Sequence, residues 1–175
     1  HRLDGQLQLP RVTSYSQAME YYLVGSDEGF NELGFPDANT WQKYMGKPAG
    51  LSETWVPETL EYVYGARSKR RKDFDMSSYC EPLFVISERA LHAIGGTLAK
   101  YGEILEIGSP KGFYFFHCTN VVEALNEDES EIVWLDKAQA WIAGINRFVL
   151  SGSKLKGQGI FRLPQANFRY TFFGE

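Results

Sequence analysis

Apolar positions along this chain recur mostly with a period of two or in short unbroken runs, and one stretch alone carries a helical period. It follows Leu83–Ile86, a short apolar run after Pro82 that suits entry into a buried strand. Ser87 then stands at a helix N-cap, with Glu88 in the first turn, where a negative charge complements the helix dipole. Ala90, Leu91, Ile94, Leu98 and Tyr101 make an apolar stripe at helical spacing, and Gly102 is expected to close it in a left-handed conformation. The pattern predicts a helix over about residues 87–101. Gly95-Gly96 inside it weakens it by about 1 kcal/mol per glycine relative to alanine, for which close approach of a neighbouring element is the ordinary reason. Glu103–Ile107 and Gly112–Thr119 read as two strands joined by a Gly-Ser-Pro-Lys-Gly turn.

Elsewhere the pattern is that of short strands and long loops. His1–Gln17 has no clear period and reads as an irregular lead-in, and Met19–Val24 is a strand candidate. Ser26–Asn39 reads as loop, Thr40–Met45 as one or two helical turns capped by Asn39 or Thr40, and Gly46–Pro57 as loop again. Glu58–Tyr64 alternates, with Leu60, Tyr62 and Tyr64 on one face, and predicts a half-buried strand. Val121–Leu125 predicts a short helical turn, Glu131–Leu135 a strand, and Trp141–Leu150 one more. Ser151–Gly159 is a glycine- and lysine-rich loop before the last two strand candidates, Ile160–Leu163 and Phe168–Phe173. About seven to nine short strands with one good helix point to an α+β fold with a mostly antiparallel β-sheet. The sharpest charge change falls in Ala66–Asp75. We place a boundary there, between an N-terminal elaboration (1–79, with the basic linker 66–75) and a core (80–175) of one compact unit.

Composition narrows the function classes. The chain has 175 residues, 43% apolar and 23% charged, which suits one ordinary domain with a core of its own. A net charge of −4 argues against a general nucleic-acid binder, which needs excess positive charge to displace counterions. No run of eighteen apolar residues marks a membrane span. Two cysteines, Cys80 and Cys118, are no disulfide framework; one bridge between them is arithmetically possible, but a reduced pair in a cytoplasmic protein is expected. The sequence opens at His1 rather than Met, so the lack of a leader in it excludes nothing. The 12 Phe, 10 Tyr and 4 Trp fit either a β-rich core or an aromatic interaction surface. Trp41, Trp55, Tyr62 and Tyr64, clustered in the N-terminal half, carry the same two readings.

Candidate chemistry is sparse. Arg67–Lys72 carries five positive charges in six residues; Arg67, Arg70 and Arg71 could meet an acidic partner or phosphate, or simply keep a loop solvated. Glu127, Asp128, Glu129 and Glu131 surround Ser130 and could steer or occupy a basic partner face, or keep an exposed turn soluble. They lack the glycine and alternating Asp/Asn of a calcium loop, so no metal is expected. His117 and Cys118 are adjacent and, on a strand, point to opposite faces, which argues against one shared nucleophilic or zinc site. No acid–base pair and no phosphate-binding glycine loop stands out, so neither a catalytic site nor a cofactor is expected.

One order of residues adds to this. Pro82, Leu83, Val85, Ser87, Glu88, Arg89, Ala90 and Leu91 are followed by Phe113–Phe116, then Asn120, Val121, Val122, Leu125 and Ser130. Arg147–Leu150 and Gly159–Pro164 follow in turn, and the whole resembles the bacterial polymorphic-toxin immunity proteins, more narrowly immunity family eleven. The resemblance spans roughly Pro82–Phe173. It implies a protein that binds a cognate secreted toxin and neutralises it by occlusion in the cytoplasm, with no catalysis. The acidic residues 127–131 would then be candidates for the contact. Family members commonly carry a further C-terminal segment, whereas this sequence stops at Glu175, which bears on the pairing of the final strand. The alternative from another class is a small enzyme or toxin domain with a site near His117 and Cys118.

Overall fold

The computed structural model describes residues 13–14, 20–25, 27, 29–136, 138 and 141–175. The lead-in expected over His1–Gln17, apart from Thr13–Ser14, and Met19 of the first strand candidate lie outside them. The first strands are β1 (Thr13–Ser14), β2 (Tyr21–Leu23), β3 (Leu33–Gly34), β4 (Glu58–Thr59), β5 (Glu61–Tyr62) and β6 (Met76–Ser77). Then come β7 (Phe84–Ser87), the helix α1 (Glu88–Leu98), β8 (Gly102–Ser109) and β9 (Phe113–Cys118). The chain continues through β10 (Glu131–Trp134), β11 (Ile142–Arg147), β12 (Val149–Leu150), β13 (Ile160–Arg162) and β14 (Thr171–Gly174). Short 3-10 turns lie at Thr40–Lys43, Ser52–Thr54 and Gln165–Phe168. The fold is α+β, with 32% of residues in mostly antiparallel strands and one helix of more than two turns.

Ser87 ends β7 and starts α1, its Oγ accepting from Ala90 N at 3.1 Å, as the N-cap reading requires. The five-stranded sheet around it has the order β4-β8-β9-β7-β6, antiparallel except for β4 on β8. Strands from before residue 80 thus form both of its edges. Alternation along β7–β9 builds two cores from one sheet. Phe84, Ile86 and Phe116 face α1 and pack with Ala90, Leu98, Cys118 and Ile160. Val85, Phe115, Leu105 and Ile107 face the other way, onto Leu33, Tyr44, Leu51, Leu60 and Phe74. A third core, with Tyr21, Leu125, Phe148, Leu150, Phe161 and Phe172, lies under the β13-β14-β2 sheet. There the Phe161 and Phe172 rings stack at 5.2 Å. Each fully buried Phe contributes about 1.5–3 kcal/mol relative to exposure.

Several local expectations need correction. Glu58–Tyr64 is not one strand: β4 pairs with β8 and β5 with β3, and Leu60, buried between them, is the corner. The stripe on α1 is narrower than its spacing suggests, because Ile94 is 43% exposed. The helix stops at Leu98, and Gly102 is the first residue of β8 rather than a left-handed cap. Its glycine is required by close approach instead, since a Cβ there would stand 2.2 Å from the His117 carbonyl oxygen. At Gly95 a Cβ would meet Leu91 of the same helix, and at Gly96 it would meet nothing, so no neighbouring element explains the pair. Val121–Leu125 forms no helical turn; Val121 and Leu125 make single bridges to Arg162 and Leu150. Trp141–Leu150 holds two strands, and Phe168 stands outside β14 in the left-handed region.

Candidate functional site

The acidic residues 127–131 occupy an exposed turn that the backbone ties down at both ends. Asn126 N donates to Val149 O at 2.8 Å, Ser130 N to Asn126 O at 3.0 Å, and Glu129 N to the Asn126 side-chain oxygen at 3.4 Å. Ser130 Oγ accepts from Val149 N at 2.9 Å, which locks the turn to β12. Ser130 is thus structural, and the carboxylates around it are what the turn presents. Glu131 pairs with Arg147 at 3.1 Å, while the same guanidinium donates to Glu129 O at 2.8 Å. Glu127 accepts from Gln165 at 3.2 Å. The Asp128 and Glu129 carboxylates have no hydrogen bond or ion pair among the described residues, so their charge faces solvent.

Beside this turn lies a cleft of about 320 Å³ walled by Glu127, Trp134, Trp141, Ile142 and the segment Pro164–Asn167. Trp141 is 58% exposed, so the cleft presents an apolar surface as well as an acidic one. The floor segment is strained: Ala166, Asn167 and Phe168 have φ of 54°, 55° and 60°. Each costs about 1 kcal/mol or more for a residue with a Cβ. Gly46 N, donating to Asn167 O at 3.3 Å, and the Arg162 guanidinium, 5.4 Å from the Phe168 ring centre, hold it.

The basic run is engaged with its own surroundings. Arg67 forms a forked pair with Asp73, whose carboxyl that pairing holds below its usual range. Arg71 lies 3.7 Å over the Tyr64 ring, and Lys72 stands 5.9 Å from that of Phe30. Asn31, only 4% exposed, organises the loop by donating to Ser68 O, Arg71 O and Asp73 while accepting from Ser68 N. Arg70 is exposed. Arg67 and Glu127 line different clefts.

His117 and Cys118 point to opposite faces, and both are buried. Cys118 packs in the core under α1, where burial pushes its thiol up to about 11; burial pushes Cys80 up to about 12. His117 belongs to a polar cluster that the chain order does not announce. Its Nδ1 meets Glu103 at 2.8 Å and its Nε2 meets Lys47 O at 3.1 Å. Both partners are acceptors, which suits an imidazolium, but burial and then Arg162 oppose the charge, and the net shift of His117 is downward. Burial pushes Glu103 up, yet hydrogen bonds from Ser52, His117 and Leu51 outweigh it and bring the carboxyl to about 2. Arg162 is 0% exposed and donates to Lys47 O at 2.8 Å and Pro48 O at 3.0 Å. Burial lowers its pKa to about 10, and its Nε and NH1 find no protein partner among the described residues. The cluster clamps the 47–52 loop to the sheet and leaves His117 no exposed surface.

No family model matches this chain, and no curated protein matches its sequence. The functional reading therefore rests on the residues themselves. Among the described residues no group of three or more His, Cys, Asp or Glu side chains is placed to hold a metal ion. No described helix is long and apolar enough to cross a membrane. The geometry thus separates the sequence-derived candidates. It joins Glu127 to a tryptophan cleft, leaves Asp128 and Glu129 without a partner among the described residues, and commits Arg67 and Glu131 to internal pairs. Strand alternation alone does not announce the tryptophan cleft, because it does not say that Trp141 stays exposed beside the partly buried Trp134.

Proposed function

We propose that this chain is an immunity protein, which binds a cognate secreted toxin in the bacterial cytoplasm and neutralises it by occlusion without chemistry of its own. The observation that carries the reading is the pinned acidic turn, with Asp128 and Glu129 unpaired among the described residues, beside the Trp134–Trp141 cleft. Aromatic side chains at the centre with charge at the rim are the usual anatomy of an affinity-bearing interface. Rim carboxylates speed the approach of a basic surface and set its register. The residue order from Pro82 to Phe173 that resembles immunity family eleven supports the same reading. If the toxin acts on nucleic acid, its groove is basic, and the carboxylates of this turn stand where phosphates would.

The test is charge reversal at Glu127, Asp128 and Glu129 to lysine, with toxin binding measured across a salt series. The complex is expected to weaken and to lose salt sensitivity. Affinity unchanged at every ionic strength would remove the turn from the interface. Trp141→Ala is the companion variant, expected to weaken binding while leaving the fold intact.

A further inference from the structure

Glu81 closes the turn that links β6 to β7, with its backbone N donating to Ser78 O at 2.9 Å. It lines a second cleft, of about 430 Å³, within the roughly 300–1,000 Å³ of small-ligand sites. Trp41, Met45, Tyr79 and Arg169 line it with Glu81. Tyr79 is half exposed, and Trp41 and Met45 are partly so. The Glu81 carboxylate has no hydrogen bond or ion pair among the described residues. Arg169 directs one N–H to Ala143 O at 3.4 Å instead of pairing with it. Burial pushes the Glu81 carboxyl up to about 7, and the charge of Arg169 offsets only part of that push. Near neutral pH the carboxyl is therefore about half ionised, and a further cation beside it would favour the ionised form.

A half-ionised carboxyl, flanked by an indole, a phenol ring and a thioether, matches one ligand chemistry. An ammonium or guanidinium group pairs with the carboxylate and lies against the aromatic faces, both of which strengthen when water is excluded. The segment 165–169 walls both clefts, with Gln165–Asn167 at the tryptophan cleft and Arg169 here. We propose that the Glu81 cleft receives a lysine or arginine side chain of the bound toxin, the carboxylate pairing with the cation between Trp41 and Tyr79. This rests on the toxin-binding reading, and it predicts that the complex weakens in mild acid as Glu81 takes up its proton. Among the described residues, the titratable and charged groups that line the cleft with Glu81 are Tyr79, from its own turn, and Arg169.

The test needs no toxin for its first arm. The Glu81 carboxyl resonance is titrated by carbon-detected NMR in the free protein, then with N-acetyl-arginine methylamide or N-acetyl-lysine methylamide added. The neutral leucine analogue is the control. The free protein is expected to show a midpoint near 7, and the cationic probes to lower it by at least about half a unit while shifting the Trp41 indole signal. Glu81→Gln, checked for an unchanged thermal melt, is expected to abolish the Trp41 response. No displacement of the midpoint with about 100 mM probe, or an equal response to the leucine analogue, overturns the cation receptor. The second arm measures toxin affinity for Glu81→Gln at pH 7.5 and 6.0, where wild type is expected to lose affinity and the variant to be flat. A successful first arm with no toxin bound by wild type at either pH refutes the toxin as the source of the cation. Toxin neutralisation that stands while the probes fail refutes the cleft alone.

Discussion

Replacing Glu103 by alanine tests the clamp that holds the 47–52 loop against the sheet. The carboxylate accepts from Leu51 N at 3.2 Å, Ser52 N at 3.0 Å, Ser52 Oγ at 2.6 Å and His117 Nδ1 at 2.8 Å. Hydrogen bonds to an ionised group are worth about 1.5–3 kcal/mol each when deleted singly, but these four share one acceptor, and Ser52 lies at the solvent edge. The better scale is the loss of one partner from a buried charged network, about 3 kcal/mol. For a chain of this size that lowers Tm by about 6–12 °C. The pH dependence carries a second signature. A carboxyl held at about 2 stabilises fully above the ordinary unfolded value, near 4.3, and that stability is lost as pH falls toward 2. His117 is shifted downward, so the unfolded chain takes up its proton first and stability begins to fall below about pH 6.5. Glu81, held at about 7, takes up its proton first in the folded state and acts with the opposite sign over the His117 range, so urea unfolding is compared between wild type and variant from pH 5 to 3, where the lower limb, that of Glu103, descends. Glu103→Ala should diminish that limb and leave the smaller part contributed by Asp73 and Asp75, which are also held below their usual range. A loss under about 1 kcal/mol at pH 7, or an undiminished lower limb, refutes the account.

Ser87→Ala removes the one side-chain cap of α1 and should cost about 1 kcal/mol by urea unfolding; an unchanged midpoint would mean that the cap is redundant. Gly102→Ala sets a Cβ 2.2 Å from a backbone oxygen that cannot swing aside, so a loss of about 3 kcal/mol or no folded protein is expected, and a Tm within experimental error of wild type contradicts it. Cys80 and Cys118 should react with maleimide only after denaturation, because burial keeps both thiols protonated and covered; rapid labelling of the native protein would contradict their placement.

What the chain revealed in advance depended on how local the governing forces were. Ser87 and the start of α1 were legible because a cap, a first-turn acid and an apolar stripe all act within a few residues. β9 was legible because an unbroken aromatic run fits a sheet with a core on each side. The split of Glu58–Tyr64 was not, because alternation says which residues share a face and not which strands they pair with. Gly102 was misassigned for the same reason: its smallness answers to a strand met across the sheet, not to the helix that precedes it. The exposure of Glu127–Glu129 could be read from composition, while the pairing of Glu131 with Arg147 needed the β10–β11 hairpin. Arg162, Glu103 and Glu81 gave no signal, since burying a charge is decided by residues far away in sequence. Arg162 reaches its acceptors at Lys47 and Pro48 only because the loop folds back over β13.

The central claim is neutralisation by binding, and co-expression tests it most directly. The product of the gene adjacent to this one is induced alone and then together with this chain, and growth and co-purification are followed. The account predicts growth arrest that only co-expression relieves, with the two proteins purifying as a one-to-one complex that the Glu127, Asp128 and Glu129 reversals destabilise. A neighbour that is harmless when expressed alone, or rescue with no stable complex, would contradict it.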